Sequence, residues 1–93
     1  MTITPPVPAV EPARTALVTG AGRGIGRHLA VGLAEAGVAV GLVGRTLDTL
    51  EETAQTCREH GVPASVAVAD VTVPDDVEAA VREIRDDLGS VDL

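Results

Sequence analysis

Thr15-Ala-Leu-Val-Thr-Gly-Ala-Gly-Arg-Gly-Ile-Gly26 is the stretch whose reading decides the fold of this chain. A short apolar run leads into four glycines within eight residues, Thr19 to Gly26, and a helical pattern follows. That order predicts a strand turning sharply into a helix, with the N–H groups of the helix N-terminus turned toward an anion such as a pyrophosphate. Side chains in the turn would meet strand or phosphate, and glycine removes them. The stretch therefore reads as a dinucleotide-binding loop.

Spacing separates the motif families. Gly20 and Gly22 would need a glycine where Ile25 stands to complete G-x-G-x-x-G, and Gly22 and Gly24 would need one where Arg27 stands. A G-x-x-x-x-G-K-(S/T) phosphate loop is excluded because the chain contains no lysine. What fits is T-G-x-x-x-G-x-G, carried by Thr19, Gly20, Gly24 and Gly26. On these residues the sequence resembles the short-chain dehydrogenase/reductase family, and the resemblance extends over residues 14 to 93.

The rest of the chain supplies the context such a loop requires. Ile25, Leu29, Ala30, Leu33 and Ala34 fall on one helical stripe that Gly37 ends. Val38 to Val43 lacks polar alternation, as expected of a parallel strand buried on both faces. Thr46 is placed to cap a second helix with Leu47, Leu50, Ala54 and Cys57 inward, ending at Gly61 and Pro63. Ala64 to Ala69 is a third apolar run, and Asp70 to Asp75 leads into a third helix with the stripe Val77, Ala80, Val81, Ile84 and Leu88. Glu78 and Arg82 are spaced for an ion pair on its outer side. Gly89 ends that helix, and Val91 to Leu93 begins a fourth strand. The expected fold class is α/β, a Rossmann-type doubly wound parallel sheet, present as a β-α-β-α-β-α-(β) portion with strand order 3-2-1-4.

Composition bounds the partners. Residues 1–14 hold four of the six prolines and no apolar period, which predicts a disordered Pro-rich leader ahead of a domain over residues 15–93. That leader has no secretory pattern, and no window is long and apolar enough to span a bilayer. Residues 1–45 carry four arginines against two acids, whereas residues 46–93 carry three arginines against twelve acids. The positive charge thus sits with the glycine loop, and the net charge of −7 argues against nucleic acid or an anionic membrane as partner. Cys57 excludes an internal disulfide, suits a reducing compartment and the cytoplasm, and reads as a small buried hydrophobe rather than a nucleophile. The absence of Phe, Tyr and Trp removes the side chains that bury most surface, so a core this small would be marginal.

The cofactor-binding residues expected are Gly20, Gly22, Arg23, Gly24, Ile25 and Gly26 in the loop, Arg45 and Thr46 after the second strand, and Asp70 and Val71 after the third. The second strand ends Leu42-Val-Gly-Arg-Thr46, with no carboxylate for a ribose 2′-OH until Asp48 in the next helix. Arg45 offers a planar guanidinium to a 2′-phosphate, Thr46 adds donors, and Arg23 approaches from the loop. Family members that prefer NADP(H) resemble the chain at both arginines, so NADP(H) is favoured over NAD(H); the competing account leaves both as solvated surface residues. Asp70 resembles the aspartate that lies near the adenine in the family, with Val71 flanking the ring; a turn carboxylate bonding local N–H groups is the compatible alternative. His28 and His60 read as capping or solvent-facing residues. No metal site is expected.

Carbonyl reduction needs an acid for the developing alkoxide, which the resemblance assigns to a Ser and a Tyr-x-x-x-Lys pair. The chain has no tyrosine and no lysine, and its last residues precede the place of the family's Asn-Asn-Ala-Gly loop, so no catalytic residue is expected within it. Two functions remain. The preferred one is the cofactor-binding N-terminal part of an NADP(H)-dependent oxidoreductase acting on a carbonyl or alcohol, a homo-oligomer when complete. The other is a non-catalytic nucleotide-binding or interaction module complete at 93 residues. The first is preferred because a three-residue stub of strand four would leave the first strand with an exposed apolar edge.

Overall fold

A computed structural model describes residues 15–22 and 24–89. Along these the chain runs β1 (Thr15–Thr19), α1 (Gly24–Glu35), β2 (Ala39–Gly44), α2 (Leu47–Glu59), β3 (Ala64–Val68) and α3 (Pro74–Leu88). The three strands form one parallel sheet with β2 in the centre, which is the 3-2-1 part of the expected order. All six residues of β2 are buried, as an apolar run between two parallel neighbours must be. The leader expected over residues 1–14 and the strand expected at residues 91–93 lie outside the described residues.

Alternation along the strands divides the core in two. Val18, Val40 and Leu42 pack with Ala30 and Ala34 of α1 and with Leu50, Ala54 and Cys57 of α2. On the opposite face Val43 and Ala67 pack with Ala80 and Ile84 of α3. The layers are therefore helices, sheet and helix, and all three strands point their carboxyl ends the same way.

The helices depart from expectation at Ile25, Leu29 and Leu47, at the Thr46 cap and at the Glu78–Arg82 pair. Ile25 and Leu29 are exposed, 87% and 54%, and α1 buries Ala30 and Ala34 instead. Five residues turn the helix about 140°, so Ile25 cannot share the narrow face through which the alanines meet α2 and the sheet. Leu47 is half-exposed because it opens α2 one turn ahead of Leu50, where contact with the sheet begins. Thr46 occupies the N-cap position with extended backbone, but its side chain makes no capping bond; instead the Thr49 hydroxyl donates to the Thr46 carbonyl at 3.1 Å. Glu78 and Arg82, both among the described residues, make no ion pair; Arg82 lines a groove with Val68, Asp76, Glu83 and Asp86. No described helix is long and apolar enough to cross a membrane.

Candidate functional site

The loop between β1 and α1 is built on glycine backbone. Gly20 and Gly24 have φ of +63° and +64°, a region that penalises any side chain by roughly 1–2 kcal/mol. A Cβ on Gly26 would collide with the Gly20 carbonyl and lie 3.1 Å from the Thr19 oxygen, so the first turn of α1 rests directly on the end of β1. The loop is tied at its middle. Ala21 N–H donates to Val43 O at 3.3 Å, and the fully buried Thr53 hydroxyl of α2 donates to Ala21 O at 2.9 Å. Sequence reading did not single out Thr53. Its signal was a lone hydroxyl on the inward stripe of α2, beside Leu50, Ala54 and Cys57.

This loop forms one wall of a cleft of about 510 Å³ at the carboxyl ends of the strands. Of the residues expected at a cofactor site, Gly20, Gly22, Arg45, Thr46 and Val71 line it. Gly44, Thr49, Leu50 and Ala69 join them, none of which the sequence reading assigned to a cofactor site. Gly44 and Ala69 follow from strand geometry, since Ala69 N–H donates to Gly44 O at 2.7 Å and extends the ladder one step beyond β3. Thr49 and Leu50 enter because α2 begins immediately after β2 and its first turns overhang the strand ends.

Gly24, Ile25 and Gly26 do not line the cleft: Gly24 starts α1, Ile25 points outward and Gly26 is the packing contact with β1. Arg23 lies outside the described residues. Asp70 stands at the rim, where its Oδ1 is 3.8 Å from the Arg45 guanidinium. The same Oδ1 accepts from the Thr72 hydroxyl at 2.6 Å and the Thr72 N–H at 2.9 Å. These bonds, led by the hydroxyl and assisted by Arg45, hold the Asp70 carboxyl below the usual carboxylate range. Asp70 is thus the turn carboxylate that the sequence allowed, and it also faces the cleft's cation.

The remaining titratable candidates lie elsewhere. His28 is exposed on α1, and His60 is the C-cap of α2, 3.9 Å from Glu35. Cys57 is fully buried with its Sγ 3.6 Å from Ala30 O, and burial pushes its thiol up. Among the described residues no three His, Cys, Asp or Glu side chains gather as metal ligands would.

A glycine turn from β1 into the N-terminus of α1, beside an open cleft at the carboxyl ends of parallel strands, defines a Rossmann-type α/β unit of the dinucleotide-binding class. The chain belongs to the short-chain dehydrogenase family, whose profile matches residues 14–93. It is 46% identical over 78 residues to gluconate 5-dehydrogenase of Gluconobacter oxydans, covering 84% of this chain and 30% of that protein. The L-sorbose reductase of Gluconobacter frateurii, solved with NADPH and L-sorbose, superposes with a TM-score of 0.81 at 36% identity, over 86% of this chain and 31% of that one. NAD+-bound xylitol dehydrogenase gives a TM-score of 0.80 at 39% identity, over 85% and 30% of the two chains. The chain therefore spans about three tenths of the length of these relatives.

Proposed function

We propose that this chain binds NADP(H) as the N-terminal part of the cofactor domain of an oxidoreductase that moves hydride between a carbonyl and an alcohol. The observation that carries the cofactor choice is the end of β2. Arg45 and Thr46 follow it directly on the cleft wall, and the next carboxylate, Asp48, already belongs to the first turn of α2. One structural neighbour holds NADPH and another NAD+ on the same fold, so the choice belongs to local side chains rather than to the fold.

The residues present fit a dinucleotide. The first turn of α1 contains no acidic residue, so its free N–H groups present an unopposed positive end to a pyrophosphate held beside Gly20 and Gly22 on the cleft wall. Val71, half-exposed beside the cleft, offers an apolar surface to the adenine, and Asp70 stands next to it at the rim. Arg45, with Thr46 and the N-terminus of α2, receives the 2′-phosphate, and Arg23 adds a second cation from the loop. When bound, the nicotinamide supplies or accepts the hydride. These residues bind and orient it. Residues 1–93 have no tyrosine or lysine, so we place proton delivery and the substrate pocket in further parts of the protein; the single cysteine suits the cytoplasm, and a homo-oligomer is what the family resemblance implies.

Arg45→Ala in the complete protein tests this reading. Loss of a bidentate charged contact should weaken NADPH binding by about 10- to 100-fold while NADH changes less than about twofold. Equal losses for the two cofactors, measured by titration, would overturn the NADP(H) assignment.

A further inference from the structure

We propose that Asp70 is a specificity-determining residue that works against the 2′-phosphate by holding Arg45; this rests on the NADP(H) reading above. The geometry makes the two partners unequal. Asp70 is fixed, because Thr72 donates twice to its Oδ1 and its own N–H donates to Asp76 Oδ2 at 3.1 Å. Arg45 is a long side chain, 73% exposed, whose guanidinium reaches that oxygen at 3.8 Å. The cation can therefore move and the anion cannot.

A ligand without a 2′-phosphate leaves this arrangement undisturbed. A ligand with one brings a monoester of about −1.5 to −2 charge to the same guanidinium. It must draw Arg45 away from Asp70 or share it, and in either case the new charge stands near a fixed carboxylate. Arg45 attracts the phosphate, Asp70 opposes it, and the balance of the two sets how far the cleft favours NADP(H). The sequence gives no hint of the pairing, since twenty-five positions separate the two residues. The sheet brings them together because Gly44 and Val68 are register partners on β2 and β3, and each residue follows its strand closely.

Asp70→Asn removes the charge and keeps an oxygen to accept from Thr72. The probes are adenosine 2′,5′-bisphosphate and 5′-AMP, titrated calorimetrically into the complete protein at low salt. The substitution should tighten the bisphosphate by about 3- to 10-fold relative to 5′-AMP, whose own affinity reports any change at the adenine; the removed ion pair and the removed repulsion each contribute a factor of a few. The gain should shrink in 0.5 M salt, roughly 4 Å in screening length, and in an Arg45→Ala background fall to the factor of a few that the removed repulsion alone contributes. Should Asp70→Asn fail to fold, judged by circular dichroism, Asp70→Ser makes the same comparison. No gain for the bisphosphate relative to 5′-AMP overturns the role of Asp70 while leaving the NADP(H) reading intact. If Arg45→Ala alone leaves bisphosphate binding unchanged, that reading fails and the inference fails with it.

Discussion

Thr53 shows how a residue outside the cleft can govern it. Its hydroxyl is the side-chain bond that fixes Ala21 O in the middle of the glycine loop, and both groups are buried. Thr53→Val keeps the shape and leaves that carbonyl without its donor, which should destabilise the protein by about 1–3 kcal/mol in urea unfolding. Because the pyrophosphate contact proposed for the loop is common to both dinucleotides, NADPH and NADH should weaken by the same factor, and Thr53→Ser should restore most of the loss. A loss confined to NADPH would show that Thr53 does not act through the loop. Such a residue is hard to read in advance. The glycines declare themselves because turn, strand and helix are contiguous in sequence, whereas thirty-two positions separate Thr53 from Ala21. Only the packing of α2 across the end of β1 gives its hydroxyl a partner.

At the scale of elements, β2 decides how closely the layers approach. Ile84 of α3 lies directly over Gly41, and a Cβ there would run into the Ile84 side chain, with Cδ1 at 3.1 Å and Cβ at 3.4 Å. Gly41→Ala should therefore cost about 1–3 kcal/mol through overpacking. Ile84→Ala, which empties a fully buried site, should cost about 2–5 kcal/mol. The two are coupled, since the methyl group introduced at position 41 enters the space vacated at position 84. The double variant should be less destabilised than the sum of the single ones, and a strictly additive result from urea midpoints would contradict the contact. Periodicity made these elements legible, including the apolar β2 and the Ala80–Ile84 stripe of α3. It did not say which flank of α1 turns inward. Ile25 and Leu29 carry the larger apolar surface, but close approach to α2 and the sheet selects the small side of the helix, Ala30 and Ala34. Hydrophobic size and packing distance favour different faces there, and sequence weighs only the first.

For the molecule as a whole, Cys57 reports on integrity because it lies where α1, α2 and the sheet meet. The residue is fully buried in that cluster, and its Sγ contacts the backbone of α1 across the helix interface. No local fraying exposes it; the helices must separate from each other or from the sheet. Labelling by a neutral thiol reagent should accordingly be slow in native buffer and should accelerate with urea in parallel with unfolding followed by circular dichroism. Burial raises the Cys57 thiol above its ordinary value of 9.0, against the opposing pull of Arg58 and Arg27. The folded state therefore holds this proton more tightly than the unfolded chain does. Between the two pKa values the unfolded state has fewer protons bound, so rising pH favours unfolding. The contribution of Cys57 is fully present below about pH 9 and is lost as pH climbs through the raised value. Cys57→Ala, less stable at neutral pH because of the space it leaves, should lose less additional stability between pH 8 and pH 11 than the unsubstituted protein. An identical alkaline slope in both proteins would place the titrating group elsewhere.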